Sequence, residues 1–306
     1  MIQETSTSAE KASSQKRFLA YLSLFAAIVC ISWSAIFVRW TDVPGSVSAF
    51  YRLLIPASIL LPTFFFGPKL APLKRRSLGI IALGGIFFAL DLALYNSAIL
   101  RTSAANATLL GNNSPIFVGL LSWLLFRRRP QAAFWIGLLL AVGGSLIILR
   151  SDLLRHAQFG LGDAMSVGAA LFFALYLLAT EEVRTTAGTL QFLRLAMISA
   201  TLALFVINIL LGNSFRVSDG RTWTALIGLG LISQLGGYMA LTYGMGHLPA
   251  TITSISLLTQ GPLTALLAAV LLHEPLSGAQ IAGGFLVLIG IGVAHRQRHP
   301  EEEANV

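Results

Sequence analysis

The sequence predicts an all-α integral membrane protein of ten transmembrane helices, arranged as two inverted five-helix repeats. Composition, length pattern and an internal echo carry that expectation. Of 306 residues, 55% are hydrophobic and 11% charged, and the mean hydropathy is +0.76; too little polar surface remains for a water-soluble globule. Ten apolar stretches can be marked off near the ~20 residues that cross a hydrocarbon core of roughly 30 Å. Asn112-Asn113-Ser114-Pro115 is echoed by Thr259-Gln260-Gly261-Pro262 at an offset of 262 − 115 = 147 residues. At the same offset Ala93-Leu94, Leu110, Ala132, Gly137 and Gly143 recur as Ala240-Leu241, Leu257, Ala279, Gly284 and Gly290. An odd number of spans per copy makes the second copy enter from the opposite side, so the copies are inverted across the membrane plane.

Residues 1–17 read as a polar cytoplasmic tail, disordered over Met1 to Ser14. Lys11, Lys16 and Arg17 before an apolar run resemble a secretory signal, but the run is too long for a signal core and is expected to be retained. The first repeat covers 18–149. Its first span, Phe18–Phe37, holds Trp33 and the single cysteine, Cys30, read as a small packing residue. The short connection Thr41 to Ser46 leads to the second span, Val47–Phe66, with Arg52 near its start. The third, Leu78–Leu100, places Phe87, Asp91 and Tyr95 at a spacing of four. The fourth, Ala104–Phe126, contains Asn106, Leu109, Asn113 and Phe117 on one face, and the fifth is Ala132–Leu149.

A linker over 150–160 precedes the second repeat, 161–295. Its spans are Leu161–Ala179, Leu190–Leu211, Thr222–Tyr243, Ala250–Leu272 and Ala279–Ala294. Arg194 is the counterpart of Arg52. Gln234, Tyr238 and Thr242 align with Phe87, Asp91 and Tyr95, and Thr253, Ser256, Gln260 and Thr264 align with the face of the fourth span. Residues 296–306 form a second polar tail. The connections leave no room for an extramembrane domain, so the chemistry lies within the bilayer.

The net charge of +8 and pI near 10.1 are explained by sidedness rather than by nucleic acid. With the N-terminus inside, thirteen basic residues (Lys11, Lys16, Arg17, Lys69, Lys74, Arg75, Arg76, Arg127, Arg128, Arg129, Arg184, Arg296 and Arg298) fall on the inner side. Six (Arg39, Arg101, Arg150, Arg155, Arg216 and Arg221) fall outside. Both termini are therefore expected in the cytoplasm. The bias is strong in the first half and weak in the second, where Glu181-Glu182-Val183-Arg184 is nearly neutral.

Polar side chains inside spans turn away from lipid toward neighbouring helices or a watered cavity. The aligned stripes on the third, fourth, eighth and ninth spans point to a central cavity lined by Asp91, Tyr95, Asn112, Asn113, Gln234, Tyr238, Thr242 and Gln260. Pro115 and Pro262 free the carbonyls of Gly111 and Leu258, making kinks where Asn112, Asn113, Thr259 and Gln260 can pair with them or with a ligand. Asp91, a carboxylate deep in a span, binds a substrate ammonium, carries a proton, or pairs with Arg52 or Tyr95. Arg52 and Arg194 are expected to snorkel to the headgroups or cap a neighbouring helix. Trp40, Tyr51, Trp123, Trp135 and Trp223 read as interfacial anchors. Trp33 aligns with Tyr176, giving two rings that flank the cavity from opposite halves.

Trp33, the Arg52 helix, the two Pro115 and Pro262 segments, and His273-Glu274-Pro275-Leu276-Ser277 before a glycine-rich last helix resemble the drug/metabolite transporter superfamily. Within it, the pattern is similar to the EamA-type exporters over nearly the whole chain. The first-half counterpart of the acidic turn is the basic Arg127-Arg128-Arg129-Pro130, a departure from strict symmetry. The resemblance implies a bacterial inner-membrane secondary transporter that exports small metabolites, with amino acids of the kind handled by YddG-like exporters first and multidrug or cation export as the alternative.

Partners are then a small-molecule substrate and the lipid bilayer; no cofactor, metal or nucleic acid is expected. No clustered acids, paired histidines or phosphate-binding loop point to an enzyme or to direct ATP drive. A proton falling through 100 mV supplies about 2.3 kcal/mol, enough for roughly a 50-fold gradient. The scarcity of in-span carboxylates favours facilitated diffusion or exchange. A channel would need a continuous polar pore.

Overall fold

The computed structural model describes residues 2–66, 72–99, 101, 110–153, 160–271 and 277–295. The expectations for Asn106, for His273 through Leu276 and for the tail 296–306 fall outside these residues. Every described regular element is helical. Six stretches are long and apolar enough to cross a bilayer: Gln15–Val38, Arg75–Ala98, Leu161–Arg184, Thr189–Leu210, Gly220–Gly244 and Ala250–Leu267. Four shorter apolar helices, Gly45–Leu60, Ser114–Phe126, Ala132–Ile148 and Gly278–Ala294, stand between them.

The elements are α1 (Ile2–Ser32), α2 (Ser34–Arg39), α3 (Gly45–Leu60), α4 (Thr63–Phe66), α5 (Arg75–Ile99), α6 (Ser114–Phe126), α7 (Ala132–Leu153), α8 (Leu161–Arg184) and α9 (Thr189–Leu210). Then come α10 (Gly220–Gly228), a π-helix (Leu229–Gly236), α11 (Gly237–Gly244), α12 (Ala250–Leu257), α13 (Gln260–Leu271) and α14 (Gly278–Ala294). Helix α1 begins at Ile2, so the backbone of the segment expected to be disordered is helical. That segment contains neither glycine nor proline, and adding turns to an existing helix costs little. Helix α3 stops at 16 residues, about 24 Å, where Pro62 has no N–H with which to continue the ladder.

The halves interlock. Helix α1 packs on α11 and the π-helix as α8 packs on α5; α13 lies on α1 as α6 lies on α8; α3 meets α9, and α7 meets α14. The last pair is held by glycine. A Cβ on Gly283 would stand 2.5 Å from the Gly144 carbonyl oxygen, and one on Gly290 would stand 2.5 Å from that of Gly137. Backbones this close admit no side chain, and in lipid such close packing replaces the hydrophobic force that drives association in water.

The two ends of the bundle are built differently. At one, hydrogen bonds tie helix termini together: Asn208 Nδ2 donates to the Ser46 carbonyl at 3.0 Å, Asn213 Nδ2 to Ser46 Oγ at 2.8 Å, and the Asp42 N–H to Thr222 Oγ1 at 3.0 Å. At the other, Arg128 and Arg76 pair with Glu181 and Glu182 at 3.2 and 3.7 Å. There the Tyr21 ring also meets His295 edge-on at 5.7 Å, so the start of the first span and the end of the last share one end of the molecule.

Candidate transport site

Arg52 is where the structure departs furthest from the sequence reading. It does not snorkel: only 8% of it is exposed. It lies seven residues into α3, about 10 Å from the helix start, and finds polar partners nearer than the headgroups. Its Nε donates to Gln234 Oε1 at 2.6 Å, its Nη1 to Ser34 Oγ at 3.0 Å, and its guanidinium lies 5.7 Å from the Tyr238 ring centroid. Such a cation–ring contact strengthens once water is excluded. Arg194 is likewise inside the bundle, 2% exposed.

Asp91, on α5, is half-buried. Its carboxylate acts electrostatically on Arg52 and on Tyr238, which places it toward the bundle interior rather than toward lipid. Around it stand three stacked or tilted rings: Phe88 lies 4.7 Å from Tyr176 and 4.9 Å from Tyr238, and the two tyrosines are 6.2 Å apart. Six helical elements, α2, α3, α5, α8, the π-helix and α11, thus supply one cluster from both halves.

Gln234 is delivered by the π-helix. Its wider turns put Ser233 and Gln234 on buried backbone, and such turns in α-helices are frequently found at functional sites. Gln234 and Thr242 have no exposed surface. Gln234 Nε2, Thr242 Oγ1, Ser233 Oγ and Thr253 Oγ1 are buried without a hydrogen-bond partner; the Thr242 hydroxyl stands beside that of Tyr176. Since buried polar groups are nearly always satisfied, the unpartnered Gln234 amide nitrogen beside Arg52 marks a place where a ligand would find a partner.

The proline segments break their spans at matching places. Asn112 and Asn113 form the turn before α6, with Pro115 in its first turn, and Leu258 and Thr259 form the turn between α12 and α13. Leu258 does not rely on a side chain as expected: its carbonyl accepts the Gly261 N–H at 3.2 Å. A three-residue backbone closure meets the loss that Pro262 imposes. Tyr95 covers the first break, its ring 2.9 Å from where a Gly111 Cβ would be.

Trp33 and Tyr176 do not pair. Trp33 sits at the break between α1 and α2 with its ring 5.9 Å from Phe37, whereas Tyr176 meets Phe88, Phe173, Phe192 and Tyr238. Beside Trp33, the Ser32 carbonyl accepts from Thr264 Oγ1 at 3.2 Å, one turn beyond Gln260. The predicted residues therefore fall into groups: Asp91, Gln234, Tyr238, Thr242 and Tyr176 join Arg52 and Phe88; Tyr95 lies with Asn112 and Asn113; Gln260 and Trp33 flank the α1–α13 contact. The sequence reading offered Arg52 as a possible partner of Asp91 without placing it among the site residues, and it missed Ser34 and Phe88. The signal for Arg52 was present, since an in-span cation one helix before an in-span carboxylate calls for pairing.

The sequence profile of the EamA-like transporter family matches residues 18–150 and again residues 160–295. The chain belongs to the EamA-like transporter family. As a family member it is a multi-pass membrane transporter and not an enzyme. It is 26% identical to the uncharacterized transporter YwfM of Bacillus subtilis, over 93% of this chain and 98% of that one. It is 28% identical to the pseudopaline exporter CntI of Pseudomonas aeruginosa, over 71% of this chain and 75% of that protein. A solved crystal structure superposes with a TM-score of 0.75 at 22% identity, covering 90% of this chain and 96% of the other; that likeness concerns the fold alone.

Proposed function

We propose that this EamA-like transporter exports small organic metabolites, amino acids first among them, across a bacterial inner membrane by alternating access at the cluster around Asp91. In this reading the four shorter apolar helices complete ten spans in two inverted five-helix repeats, 18–149 and 161–295, joined by the linker 150–160 with both termini cytoplasmic. The observation that carries it is the bond from buried Arg52 to Gln234, whose amide nitrogen is left unpartnered, with the Asp91 carboxyl within electrostatic reach, between the two halves. A cation and a carboxyl within a span, beside an unmet amide, are costly unless they do something. Tyr95, Asn112, Asn113, Trp33 and Gln260 extend the substrate path, and Pro115 and Pro262 serve as the kinks about which the halves rearrange.

The alternative, export of organic cations, draws on one feature: a carboxylate beside the rings of Phe88, Tyr176 and Tyr238 is a fitting seat for an ammonium. Export by the CntI relative accords with the outward direction. Drive by the substrate gradient or by exchange fits the small number of in-span carboxylates.

Counterflow in proteoliposomes tests the proposal. Labelled amino acid should enter faster when the far side is loaded with unlabelled substrate, and Asp91→Asn should cut that rate at least about tenfold, the worth of one charge-assisted contact. Uptake indifferent to trans loading would mean a channel, and uptake that collapses with the pH gradient alone would mean obligatory proton coupling.

A further inference from the structure

The hydrogen-bonding groups of the cluster do not balance. A guanidinium offers five N–H donors and no acceptor; Arg52 places Nε on Gln234 and one Nη1 bond on Ser34. Both acceptors are neutral. Gln234, having given its oxygen to Arg52, keeps its amide nitrogen buried with no partner. What the site has in surplus is donors, next to a permanent positive charge. The chemical group that answers a surplus of donors around a cation is a carboxylate, which accepts at two oxygens and takes an arginine in bidentate fashion.

Charge arithmetic points the same way. Arg52 and Asp91 act on one another electrostatically, and with the carboxyl ionised their charges cancel. An amine bound at Asp91 would leave Arg52 uncompensated in a low-dielectric interior, and a carboxylic acid bound at Arg52 would do the same to Asp91. A zwitterion is accepted with both charges met. Discrimination of this kind works by penalising the wrong ligand as much as by favouring the right one.

We propose that Arg52 is the specificity-determining residue of the site, receiving the carboxylate of a zwitterionic substrate while Asp91 receives its ammonium, with the side chain against Phe88 and Tyr176. This rests on the exporter reading above and adds a residue and a rejection rule to it. Gln234 positions the guanidinium through the 2.6 Å bond to Nε and lends its free amide nitrogen to the same carboxylate.

The test uses three probes that share one side chain: phenylalanine, phenethylamine and 3-phenylpropionate. Binding to the purified protein is read from thermal shift and transport from counterflow in liposomes. The wild-type protein should prefer phenylalanine over either partial analogue by about 10- to 100-fold, the worth of one or more charge-assisted bonds. Arg52→Gln should bring phenethylamine up to phenylalanine, and Asp91→Asn should do so for 3-phenylpropionate. The doubly neutral Arg52→Gln, Asp91→Asn variant, which leaves no unpaired charge, should fold and show no preference.

Equal handling of phenylalanine and phenethylamine by the wild type overturns the role of Arg52 and leaves an exporter of amines standing. An unchanged preference in Arg52→Gln overturns it too. Should none of the three probes bind or move while trans-stimulated transport of another metabolite persists, the amino-acid reading fails together with this inference.

Discussion

Two of the places where the halves meet obey different rules. At the α7–α14 seam they contribute the same chemistry: Gly137 and Gly144 from one face Gly290 and Gly283 from the other, backbone against backbone. At the Arg52 cluster they contribute different chemistry. The third span brings Phe87, Asp91 and Tyr95 on a regular α-helix, while the eighth brings Gln234, Tyr238 and Thr242 on a path that opens into a π-helix. A duplicated chain that packs on itself has every reason to keep small residues where the copies touch. It has none to keep two carboxylates or two arginines around one small ligand, because an asymmetric molecule needs unlike partners at its two ends. Duplication persists where the halves pack and is lost at the Arg52 cluster.

The largest effect should come from breaking the symmetric place. Gly290→Leu would drive a side chain into the Gly137 carbonyl, the Ala141 nitrogen and Leu140, with no flexible neighbour to yield. The expected outcome is loss of the monodisperse peak in detergent and no recoverable transport, with Gly283→Leu behaving alike. The neighbouring Gly292, with open space where its Cβ would be, should tolerate alanine. A folded and active Gly290→Leu protein would show that the seam does not hold the halves together.

Next comes the asymmetric place. Gln234→Leu removes the acceptor of the 2.6 Å bond from Arg52 and leaves a buried cation short of a partner, a loss of about 1.5–3 kcal/mol for a hydrogen bond to a charged group. A lower thermal midpoint should accompany reduced transport. Gln234→Glu keeps the acceptor and adds a second negative charge beside Arg52, so it should retain stability and shift preference toward amines. If both variants transport like the wild type, Gln234 is a packing residue and the contrast between the halves carries no functional weight.

How far these places could be read in advance follows from their physics. Long apolar runs and a repeated proline turn are local properties, so the all-helical membrane fold, the breaks at Asn112-Asn113 and at Leu258-Thr259, and the inward face of Gln234, Tyr238 and Thr242 were legible. The π-helix was not, since its extra residue per turn answers to neighbours distant in sequence: Gly230 lies on Ile55 and Gly237 on Ile31. Arg52 was misplaced because a cation near a span end can snorkel or turn inward, and only the position of Gln234, 182 residues away, decides. Trp33 and Tyr176, read as rings flanking a cavity from opposite halves, lie in separate groups, Trp33 against Phe37 and Tyr176 against Phe88 and Tyr238.

A smaller effect is expected at the hydrogen-bonded end. Asn208 is fully buried and donates to the Ser46 and Leu204 carbonyls. Asn208→Leu deletes that bridge between α9 and the start of α3 and should cost about 1–3 kcal/mol, the penalty for leaving a buried acceptor unmet. The opposite end relies on exposed ion pairs, so Arg128→Ala should change stability by under about 1 kcal/mol. Equal losses at the two ends, measured by thermal denaturation in detergent, would erase the difference between them.

The smallest effect is one of pH, at that second end. His295 follows α14, meets the Tyr21 ring edge-on and approaches Ser256 Oγ at 3.1 Å through Nε2. Burial holds its imidazole below the ordinary histidine range. A group whose proton affinity is lower when folded favours the folded state above its unfolded pKa, near 6.5, and that stability is lost as pH falls through that value and on toward the depressed one. The thermal midpoint should therefore drop between pH 7.5 and pH 5, and His295→Gln, which can still bond Ser256 and cannot gain a proton, should flatten part of that drop. A midpoint that instead rises on acidification, with the rise lost in His295→Gln, would mean that the protonated ring is the one the α1, α12 and α14 contact prefers.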